Sequence, residues 1–317
     1  MQKRWDAGET LLAEFAESAR IGSTISDRLM DIFNGRKVLD EDEIVRGGAP
    51  PGALFLASSR LEVEKINNDA FKYLRYTGKQ HMVIWAHHTA GKRGNLDSTA
   101  RLNALATCPV PNSDQHYKWL GSFRNKIELA EGSRVRYLLN KCPVAGLYQG
   151  ALGTVVGFGF PPGVTVEKYR MPGSRTGHDM KTAAENNWPV PLVFVQMDKH
   201  DGFKSAWKDM PGVICFKGEA TPSKVNGHTR FMLPLLPAHA RTYHSAQGIT
   251  ALCGVVLFKP ARRTFALMYV GLSRIKTLSK LFLMQRVSND DFQCGGDAFV
   301  HIKNELRRLQ RLPNQIK

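Results

Sequence analysis

Nothing in the 317-residue sequence approaches the roughly 18 consecutive apolar residues that a membrane-spanning helix needs. Its five cysteines, Cys108, Cys142, Cys215, Cys253 and Cys294, are scattered, and no two form a CxxC pair. An odd count at wide spacing argues against a disulfide framework and points to a reducing compartment. His87 and His88 are neighbours, but no Cys or His pair stands at ligand spacing from them, so no metal site is expected. The first twenty residues carry Asp6, Glu9, Glu14 and Glu17, and lack both the apolar core of a signal peptide and the acid-poor character of a transit peptide. No GxxxxGK[ST] string occurs to cradle phosphates. Gly78-Lys79 is followed by Gln80, with Tyr73 where the first glycine belongs, and Gly91-Lys92 is followed by Arg93. Gly157-Phe158-Gly159 has no helix pattern after it, which excludes a dinucleotide fingerprint. These absences predict an intracellular protein with no membrane contact and no phosphate loop within this chain.

Acidic residues are scarce. Asp and Glu total 28 against 44 Lys and Arg, a formal net charge of +16. Such a balance favours a polyanionic partner, usually nucleic acid. A basic protein with an acidic protein neighbour would show the same composition. The apolar fraction of 43% is ordinary for a globular chain, enough for one large domain or two smaller ones.

Leu11, Leu12, Phe15 and Ala19 recur at helical spacing, and Gly22 breaks the pattern. Ser26 is placed to cap a second short helix carrying Leu29, Ile32 and Phe33, closed by Gly35. Residues 47–53 read as a loop. The run Ala53-Leu54-Phe55-Leu56 predicts a buried strand, followed by a helix with Val63, Ile66, Ala70 and Leu74 on one face. Residues 76–130 are poorly patterned, with a basic stretch at Lys92 and Arg93, a Pro-bearing polar stretch at 108–116 and a weak strand at 82–86. From 131 to about 232, short apolar runs at 135–139, 152–158, 192–197 and 213–216 alternate with Gly and Pro, the texture of a small β barrel. The polar stretch 171–189 reads as a long loop. From 233 the α/β texture returns, with a strand from Cys253 to Phe258, a helix from Phe265 to Leu272 and a strand from Leu281 to Met284. A last helix is expected from an Asp297 cap through Phe299, Ile302, Leu306 and Leu309, its other face basic.

Arg230–Thr250 reads RFMLPLLPAHARTYHSAQGIT. It resembles the fifth motif of Pif-type (Pif/RecD-like) superfamily-one DNA helicases, in which a basic residue, Pro-Leu, Ala-x-Ala, Thr and His-Lys-x-Gln-Gly occur in order. The matching positions are Arg230, Pro234, Leu235, Ala238, Ala240, Thr242, His244, Gln247 and Gly248, while Ser245 stands in the place of Lys and Ala246 in that of Ser. Met268–Arg274, MYVGLSR, resembles the sixth motif, with Gly271 in place of Ala. Gly132–Gly153 resembles the family's Gly-x-x-Val-x-Leu-x-x-Asn and Gly-Leu-x-Asn-Gly-x-x-Gly run, with Gln149 for the second Asn. Leu56–Asn67 resembles the fourth motif, with Ser59 and Arg60 at its Thr-Asn. Gln2-Lys3-Arg4, Asp6, Phe15 and Arg20-Ile21-Gly22 look like the end of the third motif and the helix after it.

The resemblance implies an α/β fold. A RecA-like parallel sheet, the second motor domain, would be built from 1–150 and 233–317 around an inserted SH3-like barrel at 151–232. It implies the C-terminal portion of an ATP-dependent 5′-to-3′ DNA helicase, the chain beginning where the first motor domain ends. Thr242 and His244 would hold single-stranded DNA. Gln247, Gly248 and, more weakly, Arg4 would face the nucleotide, and Arg274 would be the arginine finger that stabilises charge on the γ-phosphate. ATP and Mg2+ would be bound only when the missing first motor domain is supplied, in trans if on another chain. The competing class is a non-catalytic nucleic-acid-binding remnant or subunit of such a helicase, for example of a mobile element. Gln247 and Arg274 are expected on one carboxyl edge of the parallel sheet, with Arg274 reaching solvent or pairing with a local carboxylate.

Overall fold

The computed structural model describes residues 6, 8–21, 23–36, 52–90, 94–95, 123–160, 166–185, 190–200, 205, 207–222, 228–251, 253–258, 267–292, 300 and 304. The chain divides into two compact units, Met1–Ile66 with Ala240–Lys317, and Asn67–His239.

The first unit is built on a four-stranded sheet in the order Ala240–Thr242, Leu54–Ala57, Val255–Leu257, Leu281–Leu283, with every neighbouring pair parallel. Parallel strands are covered on both faces, which is why Leu54–Ala57 is an unbroken apolar run, buried throughout. Leu54, Leu56, Val255, Leu257, Leu281 and Leu283 face a core completed by Leu12, Phe15, Phe33 and Leu272. Phe55, Ala57, Ala240 and Val256 face the opposite side, against Ile66 and Met284. The helices Thr10–Ile21 and Asp27–Asn34 meet through Phe15 and Phe33, stacked at 3.8 Å, with Phe292 edge-on to Phe15 at 5.1 Å. Ser26 caps the second helix by accepting from Leu29 N, and Gly35 closes it, as the sequence predicts. The helix Arg60–Tyr76 packs Val63 and Ile66 against the sheet.

The second unit holds three sheets. The largest is antiparallel, in the order Val213–Phe216, Leu192–Met197, Leu152–Gly159, Arg134–Tyr137, Leu235–Pro237. Burial alternates along Leu152–Phe158 and Leu192–Met197, and both strands lie on short apolar runs expected from the sequence. Among the described residues this sheet has an open order, its two edge strands unpaired with each other, so the expected barrel is present here as a sheet only. A second sheet orders Glu219–Pro222, His228–Met232, His87–Ala90 and Gly94–Asn95. The third joins Lys126–Ala130 antiparallel, and Gly177–Asp179 parallel, to His81–Trp85.

Two expectations are corrected. The stretch 171–189 is not one long loop, because it contains the strand Gly177–Asp179 and the short helix Lys181–Glu185. In 76–130 the strand expected at 82–86 is present as His81–Trp85, and the strands His87–Ala90, Gly94–Asn95 and Lys126–Ala130 are additional to it. Both follow from partners distant in sequence, which periodicity cannot reveal. The same pairings hold Asn67–His239 together as one compact unit. The strand His81–Trp85 is bonded to 126–130 and 177–179, and not to the parallel sheet. Most of the 47–53 loop, Lys92 and Arg93, the 108–116 stretch and nearly all of the helix expected from Asp297 lie outside the described residues. Among the described residues no helix is long and apolar enough to cross a membrane, and no three potential metal ligands cluster.

Candidate functional site

The strand Ala240–Thr242 ends with Thr242 opposite Ala57, and Tyr243 N donates to Ala57 O at 3.1 Å. The chain then makes one 3-10 turn, His244–Ala246. Hydroxyls close this turn: Ser245 N donates to Thr242 Oγ1 (3.3 Å), Thr242 Oγ1 to Ser245 Oγ (3.1 Å), and Ser245 Oγ to Thr242 O (2.9 Å). A lysine at 245, as in the resembled motif, has no hydroxyl with which to form this ring. His244, Gln247 and Gly248 are exposed and Thr242 is half-buried. Gly248 has φ +85° with open space where a Cβ would stand, so its backbone and not its surroundings calls for glycine.

Beside this turn the Leu54–Ala57 strand delivers the N-terminus of the Arg60–Tyr76 helix. Glu62 Oε2 accepts from Ser58 Oγ (3.1 Å), Ser59 N (3.0 Å) and Ser59 Oγ (3.0 Å), and Glu62 N donates to Ser59 Oγ (3.1 Å). This is a reciprocal capping box, visible in the sequence as Ser59-x-x-Glu62 but not recognised there. The carboxylate also places negative charge at the positive end of the helix dipole.

Tyr243 is a second residue that sequence reasoning missed. It is fully buried, and its hydroxyl donates to Phe258 O at 2.7 Å. Burial, with the Glu62 charge adding to it, raises its pKa far above the ordinary tyrosine value, so it remains a neutral donor. Its ring fills space that Gly271 leaves: a Cβ at 271 would lie 2.9 Å from Tyr243 Cε1 and 2.5 Å from Leu257 Cδ2. Glycine in place of the motif's alanine is therefore required by this packing. Gly271→Ala should cost about 1–3 kcal/mol in urea unfolding through overpacking, part of it recovered in a Leu257→Val background. A neutral Gly271→Ala would contradict the crowding.

Arg274 is 5% exposed. Nε donates to Val270 O (2.9 Å), Nη1 to Ile249 O (3.0 Å) and Ala246 O (3.3 Å), and Nη2 to Ser273 Oγ (2.6 Å). Ala246 and Val270 lie in the last turns of two short helices, and their carbonyls also accept from Ile249 N (3.3 Å) and Ser273 Oγ (3.0 Å) respectively. The guanidinium thus stitches Leu267–Leu272 to the 246–249 turn. It brackets Gln247 and Gly248, so the fifth- and sixth-motif residues do share one corner.

Two parts of the geometric expectation are corrected. Arg274 does not reach solvent. Nor does its helix deliver it to the carboxyl edge. Val255–Leu257 and Leu281–Leu283 are parallel, so the helix between them returns towards the amino ends. Arg274 O accepts from Ala251 N at 2.8 Å, on the segment leading into Val255, and the side chain enters the corner from that side. Thr242 and His244 do lie at the carboxyl end. Arg4 lies outside the described residues. Arg230, the basic residue that opens the resembled motif, is a core residue of the second unit, 1% exposed, with Nε to His88 Nε2 (2.9 Å) and Nη1 to Phe123 O (3.2 Å).

No family model and no curated protein sequence matches the chain. Among solved structures it is similar to a Pif1 helicase from Candida albicans, with a TM-score of 0.60 at 17% identity, covering 94% of this chain and 58% of that one. It is also similar to Bacteroides Pif1 bound to single-stranded DNA, with a TM-score of 0.54 at 16% identity, covering 97% and 55% respectively. A third is Bacteroides Pif1 in complex with ADP-AlF3 and single-stranded DNA, with a TM-score of 0.54 at 15% identity, covering 96% and 55%. The chain spans a little over half the length of these helicases, and shares its fold with that part of them.

Proposed function

We propose that this chain, folded like part of a Pif1 helicase, is the second motor portion of a Pif-type DNA helicase and binds single-stranded DNA. The observation that supports this reading is that Arg274 reaches the carbonyls on either side of Gln247 and Gly248, on the segment that follows Thr242 and His244 off the parallel sheet. Thr242 and His244, at the carboxyl end of their strand, are the groups for the DNA backbone. Gln247 and Gly248 face the nucleotide of the assembled motor. Arg274 acts there as the finger, which requires its guanidinium to leave Ala246 O and Ile249 O when the first motor domain docks. ATP and Mg2+ come with that domain, because the sequence has no GxxxxGK[ST] to hold them.

A second reading, a binding module without turnover, draws on the commitment of Arg274 to buried carbonyls and on Ser245 in place of the motif's lysine. Both readings predict binding of single-stranded DNA by this chain. Affinity should fall roughly 20- to 100-fold between about 50 and 200 mM salt if three to five phosphates are contacted. Thr242→Val with His244→Ala should weaken it by about tenfold, the worth of a charge-assisted contact. Affinity flat in salt would sink the electrostatic reading. DNA-stimulated ATP hydrolysis by this chain alone, at roughly 1–100 per second, would overturn the assignment of the phosphate loop to a missing domain. With the first motor domain supplied, hydrolysis that depends on Arg274 supports the helicase reading over the binding module.

A further inference from the structure

Trp85 ends the strand His81–Trp85 in the second unit, and unlike Met82 and Ile84 it does not enter the core cluster. Its half-buried indole is fixed at one edge, where Nε1 donates to Asp179 Oδ1 at 2.9 Å. The same oxygen accepts from Lys181 N at 2.9 Å, so the carboxylate is engaged in orienting both the ring and the next element. Lys126 stands directly across the strand pair from Trp85, and Lys181 follows the strand on the other side. Both are exposed, and each ammonium lies 5.6 Å from the centroid of the indole ring. The two ammonium groups are therefore no more than twice that distance apart.

Proteins that hold single strands without reading sequence combine an aromatic face, on which any base stacks, with cations that track the phosphates. Here one ring and two lysines are brought together from three adjacent strands or their ends, on a sheet that keeps the ring rigid. We infer that Trp85, Lys126 and Lys181 form a second single-strand contact, with a nucleobase stacked on the indole and the flanking phosphates on the two ammonium groups. This rests on the single-strand reading above, and it lies on a unit to which none of the helicase-motif site residues belongs. Cation–π contacts of exposed lysines are weak, and a phosphate competes with the ring for an ammonium group on better terms. Lys126 also exchanges an exposed ion pair with Glu128 at 2.9 Å, which is of little worth at its exposure. Asp179 sits at the ring edge, away from the stacking face.

The test uses the full chain, a labelled thymidine oligomer of about 12 nucleotides, and an abasic oligomer of the same length. Trp85→Leu should weaken binding to the thymidine oligomer by about 5- to 50-fold and barely change the abasic one, while Trp85→Phe stays within about threefold of the native chain on both. Lys126→Gln with Lys181→Gln should weaken both oligomers and make the salt slope shallower by about 1.4, two single-strand phosphates' worth. Native affinity in Trp85→Leu, alongside weakened binding in Thr242→Val/His244→Ala, would overturn this site and leave the proposed function standing. Equal weakening on both oligomers by Trp85→Leu, with a lowered unfolding midpoint, would mark Trp85 as structural and overturn the site too. No binding of either oligomer by the native chain would overturn the proposed function and this site with it.

Discussion

Arg274→Ala should destabilise the first unit by about 2–3 kcal/mol, seen as an earlier midpoint in urea, in the chain alone and without nucleotide or DNA. The guanidinium is buried, and truncation takes from Ile249 O the donor that Arg274 supplies, while Ala246 O keeps Ile249 N and Val270 O keeps Ser273 Oγ. A buried carbonyl left without a donor costs about 1–3 kcal/mol, and the two weakened carbonyls add less because each keeps one donor. Arg274→Lys keeps one charge but cannot span the same acceptors from a single nitrogen, so about half of the loss should remain. A finger that merely waits for a phosphate would be silent in this experiment. An Arg274→Ala midpoint within about 0.5 kcal/mol of the native chain, the range of ordinary surface changes, would show that the guanidinium does not hold the corner together.

Acid should weaken the second unit. His239 Nε2 accepts the N–H of Arg134 at 3.1 Å, a bond that needs the bare nitrogen of neutral imidazole. Burial first, and the Arg134 charge second, hold its pKa down at about 4 against an ordinary 6.5. Above pH 6.5 the folded and unfolded chains both carry it neutral and there is no loss. As pH falls below 6.5 the unfolded chain takes up the proton and the folded chain does not. Stability then drains away until about pH 4, by about 3 kcal/mol in total. His178 acts with the same sign, its pKa lowered by burial and by the charges of Arg170 and His81 against a smaller opposing effect of Glu167. His239→Gln keeps an acceptor and cannot be protonated. Its unfolding free energy should fall less steeply between pH 6.5 and 4 than that of the native chain, and equal slopes would refute the role given to His239.

What could be read in advance follows from where the information lies. Ser26 and Gly35 act on their own helix, so their caps were legible. Leu152–Gly159 and Leu192–Met197 are short apolar runs set between turn residues, and Leu54–Ala57 is a continuous apolar run, so these strands announced themselves. Gly177–Asp179 did not, because its strand state depends on His81–Trp85, nearly a hundred residues earlier. The candidate corner was legible as a set of motif residues and illegible as chemistry. Nothing local to Arg274 tells that its partners are carbonyls of residues 246, 249 and 270. Nor does the sequence order of Val255–Leu257, Leu267–Leu272 and Leu281–Leu283 name an edge until parallel pairing makes the helix run back. Ser245 looked like the loss of a cation and proved to be half of a hydroxyl pair with Thr242.

The contact between Tyr243 and Gly271 constrains the order in which this corner could have changed. An alanine at 271 does not fit while Tyr243 and Leu257 stand as they do. The nearest atom to such a methyl is Leu257 Cδ2 at 2.5 Å, with the Tyr243 ring next at 2.9 Å, so both side chains would have to give. The passage from this chain back towards alanine has to shrink residue 243 or 257 first. Removing the ring on its own also deprives Phe258 O of the hydroxyl that donates to it. Each single step back is therefore downhill in stability although the endpoint is not, and the pair behaves as a ratchet. Swapping only the seven residues of MYVGLSR for a sequence with alanine at 271 should lower stability in this scaffold, and the same swap made together with Leu257→Val should recover part of the loss while keeping the Tyr243 hydroxyl on Phe258 O.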